Sequence, residues 1–119
     1  MKTSRIALVA AAMASAAIGL AGPASAQPLS GSYTEKVIDG AFPGLIRTFV
    51  ATACGPDCAH LEWSTGTAGD LHSQGDTWAG TRNTHQPDIS CTVTIDKSLV
   101  ETDDCGSLGN TRWQLTKNS

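Results

Sequence analysis

Few residues of this chain are equipped for chemistry, and they are scattered. Four of them are cysteines: Cys54, Cys58, Cys91 and Cys105. As thiolates they would bind metal or exchange disulfides; as oxidised pairs they would staple the fold. Cys54-Gly-Pro-Asp-Cys58 has one residue too many for a Cys-x-x-Cys redox motif, and no βαβ pattern surrounds it. The set also lacks the paired Cys-x-x-Cys knuckles of a structural zinc site. Disulfides are therefore expected, and four cysteines allow three pairings. Nearest partners in sequence favour Cys54–Cys58 and Cys91–Cys105. Gly55, Pro56 and Asp57 suit a tight reversal, which can bring the first pair to the roughly 4.4–6.8 Å Cα separation a disulfide needs.

The three histidines, His60, His72 and His85, are dispersed. His60 and Glu62 would share one face of a strand, and Asp70 or His72 would have to supply a third ligand, a pattern that falls short of a defined metal set. Asp70 and Asp76 do not follow the alternate-position spacing of a calcium loop. Asp103 and Asp104 adjoin, so on an extended strand they point to opposite faces. The sequence contains no Gly-x-Ser-x-Gly, Walker or Gly-x-Gly-x-x-Gly motif, so neither a catalytic residue nor a cofactor is assigned, and no metal. Of the three tryptophans, Trp63 and Trp113 lie in phase with apolar neighbours and read as core. Trp78 stands among polar and glycine residues and is the one candidate ligand-binding residue.

The elements that must position these residues read as β-strands. Ile89, Cys91, Val93 and Ile95 alternate with polar residues, the period-two pattern of a strand buried on one face. Asp96-Lys97-Ser98 is a turn, and a return strand runs from Leu99 to Thr102. Further strands are expected at 33–38, 60–63, 71–73, 77–81 and 112–116. Residues 45–53, apolar on both faces apart from Arg47 and the threonines, read as a central strand. With turns every 8–12 residues and no helical periodicity, the fold class is all-β, a small antiparallel sandwich or barrel stapled by two disulfides. The expected core is Val37, Leu45, Phe49, Leu61, Trp63, Trp78, Val93, Ile95, Trp113 and Leu115.

The N-terminus reads as an export signal. Lys2 and Arg5 precede the 15 apolar-rich residues from Ile6 to Leu20, and Ala24-Ser25-Ala26 supplies small residues at the −3 and −1 positions. That run is short of the ~20 residues a spanning helix needs, and Pro23 breaks its continuation. Residues 1–26 are thus expected to be a cleaved signal peptide, and 27–119 a single secreted β domain with no membrane span. No Arg-Arg pair or nearby lipidation cysteine suggests another route. Cleavage removes two of the eight Lys/Arg, leaving six against 11 Asp/Glu and a net charge of −5. An acidic domain with no basic stripe argues against nucleic acid and against electrostatic docking on anionic membrane.

In chain order the sequence carries Ser32-Tyr33-Thr34, the Cys54-Gly-Pro-Asp-Cys58 turn, a Trp, and a Cys opening a strand. Asp96-Lys97-Ser98-Leu99, Cys105-Gly106 and the ending Trp113-Gln114-Leu115-Thr116-Lys117 follow. This series resembles a group of small secreted disulfide-bonded β proteins of mycobacteria and related actinobacteria, mostly uncharacterised. The resemblance implies a fold and an extracellular or envelope address, but no chemistry. Val100 departs from it, standing where such proteins usually have glycine. The expectation is an exported, monomeric, non-enzymatic module binding an unknown ligand or protein partner. Its rivals are a small secreted hydrolase with a loop-assembled site and a purely structural envelope protein. A binding module should present an aromatic patch around Trp78. A hydrolase should bring a histidine to an acid or serine.

Overall fold

A computed structural model describes residues 27–118; the signal segment read at 1–26 lies outside them. Eight strands follow one another: β1 (Gly31–Asp39), β2 (Ile46–Gly55), β3 (Cys58–Trp63), β4 (Ala68–Gln74), β5 (Thr77–Asn83), β6 (Ser90–Ile95), β7 (Val100–Asp104) and β8 (Asn110–Lys117). Each pairs antiparallel with its neighbours in sequence, and β1 pairs with β8, which closes the sheet into an up-and-down barrel. The choice between sandwich and barrel is thereby decided, and closure leaves no free sheet edge. No helix among these residues is long and apolar enough to cross a membrane.

Period-two alternation becomes an inside and an outside. Tyr33, Phe49, Ala51, Leu61, Trp63, Leu71, Trp78, Val93, Ile95, Trp113 and Leu115 point inward and are buried. The core expectation holds except at Leu45, which is 50% exposed. Leu45 precedes β2 and belongs to the β1–β2 connection, where its N–H donates to the Phe42 carbonyl and its carbonyl accepts from Val37 N–H. The reading of 45–53 as a strand apolar on two buried faces also needs correction. In a closed barrel only one face is covered, so Ile46 and Val50 are 60% and 51% exposed.

Both expected disulfides form. Cys54–Cys58 spans the β2–β3 turn with Cα atoms 5.1 Å apart, and Asp57 there adopts φ 56°, a left-handed conformation that aspartate tolerates. Cys91–Cys105 ties the start of β6 to the residue after β7. Gly69 and Gly80 allow β4 and β5 to approach closely. A Cβ on Gly69 would collide with the Thr81 carbonyl and lie 2.8 Å from the Arg82 Cα; one on Gly80 would collide with the Asp70 carbonyl. The two backbones can approach this closely only without side chains.

The turn at Asp96 shows local sequence chemistry at work. Its carboxylate Oδ1 accepts the N–H groups of Ser98 and Val100 at 2.8 and 3.1 Å, and its carbonyl accepts Leu99 N–H. Leu99 takes φ 60°, which costs a leucine on the order of 1 kcal/mol. Its carbonyl accepts Leu115 N–H at 2.9 Å, and its side chain packs against the core. Val100 follows in ordinary strand geometry, so the hairpin forms without glycine at that position.

Candidate functional site

The barrel has two ends. One, here the lower mouth, carries the β2–β3, β4–β5 and β6–β7 turns. Residues 27–30 lie across it as a strap. Leu29 is buried, the Gln27 carbonyl accepts the Trp78 indole N–H at 2.7 Å, and Ser30 N–H donates to the Tyr33 hydroxyl at 3.4 Å. Lys117 Nζ donates to the Ser30 carbonyl and stands 5.0 Å from the Tyr33 ring centre. Between strap and barrel is a cavity of about 440 Å³. Its apolar wall includes Tyr33, Trp78, Ile95 and Leu99; Asp76, Asp96, Lys97 and Lys117 form its polar rim. The volume falls within the range of small-molecule sites.

The upper interior is built differently. Arg47 stands inside the barrel with its guanidinium carbon 3.9 Å from the Trp113 ring centre. It donates to Glu35 through Nε, and through its second nitrogen to Glu101 at 3.1 Å and Asp103 at 2.8 Å. Arg82 donates to the same Asp103 oxygen at 3.1 Å, and the Trp63 indole N–H donates to Glu35 at 3.3 Å. Glu35, Glu101 and Asp103 are at most 1% exposed. Burial lifts the Glu35 carboxyl from 4.5 to about 7, against the charge and hydrogen bond of Arg47. Two guanidiniums thus face three buried acids, of which burial holds Glu35 toward its neutral form. Glu101 Oε1 and Asp103 Oδ1 have no protein donor.

On the outer wall, His60 Nδ1 lies 2.6 Å from Asp70 and Nε2 3.2 Å from Glu62. Glu62, expected on one face with His60, does meet it, and so does Asp70, one of the two residues considered for a third ligand. The hydrogen bond to Asp70, with that to Glu62, raises the imidazole pKa. A ring held by carboxylates at both nitrogens is stabilised as the cation and has no nitrogen free to accept a nucleophile's proton. His72 is exposed nearby on β4, lining with His60 and Asp70 an open depression above Gly69 and Gly80. His85 bonds the Thr65 carbonyl at 3.0 Å, away from this group. Among the described residues one cluster has metal-ligand spacing, Cys54, Cys58 and Asp70, and its sulfurs are joined to each other.

Trp78 lines the cavity at the lower mouth and is 7% exposed: the indole is a cavity wall and not the surface patch expected of it. The interior charges escaped sequence reading. Their signal was phase, since Glu35 falls between Tyr33 and Val37, and Arg47 two residues before Phe49. Asp103 and Asp104 do face opposite ways, one buried and one exposed. No protein-family model, curated protein or solved structure matches this chain.

Proposed function

We propose that this protein is an exported, non-enzymatic binding module that takes one small, largely apolar molecule at the lower mouth of its barrel. The cavity beside Trp78 carries the reading. Eight strands enclose an interior just wide enough for side chains or one small ligand, and here that space opens beneath the strap. Export rests on the signal-like residues 1–26 and agrees with two disulfides, which persist in oxidising compartments. The likeness to small secreted actinobacterial proteins points to the same address, outside the cell or in its envelope. The hydrolase alternative draws on His60 and Asp70, but the second carboxylate on the imidazole removes the base such a mechanism needs.

The test uses protein purified from culture medium and a panel of small apolar molecules, with the heat of binding in titration calorimetry as readout. Saturable one-to-one binding that Trp78→Ala abolishes and His60→Ala leaves unchanged supports the reading. If no member of the panel binds saturably, or if Trp78→Ala binds as wild type does, the mouth is not the site. Ester hydrolysis lost in His60→Ala would favour the alternative.

A further inference from the structure

We infer that the ligand of the lower mouth is an anionic amphiphile, a carboxylate or like anion on a short apolar body; this rests on the reading of that cavity as the binding site. The rim holds two lysines and two aspartates, yet its charges are not equally engaged. Asp96 spends Oδ1 on the Ser98 and Val100 N–H groups. Asp76 accepts the Thr77 hydroxyl at 3.3 Å through Oδ1, and its Oδ2 lies 3.8 Å from Lys97. Both acids thus already have donors. The lysines are less committed. Lys97 is 75% exposed on its side chain and reaches Asp76 at that long distance only. Lys117 makes no ion pair among the described residues and rests on a neutral carbonyl.

Location strengthens the argument. The whole chain is acidic, and among the described residues just four Lys or Arg side chains are exposed: Lys36, Lys97, Arg112 and Lys117. Two of the four border this one cavity. Cleavage after Ala26 would add the α-ammonium of Gln27, another lining residue, to the same rim. Tyr33, Trp78, Ile95 and Leu99 would cover the apolar body, and the lysines would meet the head at the water boundary, where an exchange of carbonyl for carboxylate gives Lys117 a charge-assisted bond.

Octanoate, 1-octanol and octylamine share a tail and differ in head, so they separate the inference from its premise. Each is titrated against protein from culture medium, following indole fluorescence. Octanoate should bind at least about ten-fold tighter than octanol, equivalent to one charge-assisted bond, and octylamine weakest. Lys117→Met should abolish the preference for octanoate over octanol measured on the same variant, and Lys97→Met should reduce it in part. A far-UV circular dichroism spectrum like that of wild type certifies that each variant is folded. Octanol equal to or tighter than octanoate overturns the anionic preference and leaves the site standing. Saturable binding by none of the three overturns the site, and the preference with it.

Discussion

The two halves of the barrel interior solve the same packing problem by opposite means. In the lower half Tyr33, Leu71, Trp78 and Ile95 fill the space with apolar surface and leave a cavity at the mouth. In the upper half Arg47, Arg82, Glu35, Glu101 and Asp103 fill it with charge, faced by Trp63 and Trp113. Apolar burial is non-directional, so a gap beside it costs lost contacts and no broken bond. A buried ion cluster demands that its charges be partnered, so the upper half depends on each member. A void is tolerated in the forgiving half, and the cavity is there.

Substitutions can break this contrast. Arg47→Met should have the largest effect, about 3–5 kcal/mol by urea unfolding, because it strands buried carboxylates without their shared partner. A loss near 1 kcal/mol would mean that the upper interior takes in water readily and is no rigid network.

Glu35 supplies the next effect, in pH. Unfolded it titrates near 4.5, folded at about 7. Below pH 4.5 it is protonated in both states and its contribution to stability is complete. As the pH rises through 7 the folded protein must bury another carboxylate, and on the order of 3 kcal/mol is lost. Urea midpoints across pH 4–9 should fall over this window, and Glu35→Gln should flatten the fall. A wild-type profile already flat between pH 5 and 8 would mean that Arg47 keeps Glu35 ionised.

The disulfides sharpen the comparison at the two ends. Replacing Cys91 and Cys105, which close the longer loop beside the charged half, should cost about 3 kcal/mol on a chain-entropy estimate, against about 2 kcal/mol for Cys54 and Cys58. Equal losses would show that loop length is not what matters here. The smallest change is Ile95→Val, at about 0.5–1.5 kcal/mol, with a cavity wall that relaxes. Because Ile95 borders the mouth, this variant should move ligand affinity more than it moves stability. The reverse would show that the wall is rigid.

Much of the frame was legible in order. The alternation at 89–95 and 112–116 and the Asp96 turn are local patterns set by side-chain parity and turn chemistry, and they need no knowledge of the rest of the chain. Each of the eight strands has a counterpart in the sequence reading, and both cysteine pairs are the nearest in sequence. The candidate site was legible at one residue, Trp78, for its odd polar setting. Tyr33, Ile95 and Leu99 approach it from β1, β6 and the turn after β6. Lys97 and Lys117 are twenty residues apart and gave no motif.

By itself the sequence determined strand parity, the turns and the cysteine partners, since each depends on residues a few positions apart. Closure through β1–β8, the inward ion cluster and the strap across the mouth were decided by the tertiary structure alone. Parity says that Glu35 and Arg47 share a face with apolar neighbours. Only the closed barrel brings β7 round to complete their hydrogen-bonded cluster, and only there does a segment before the first strand find Trp78 at a distance of 51 residues. Such contacts depend on how the chain encloses space, which no local pattern encodes.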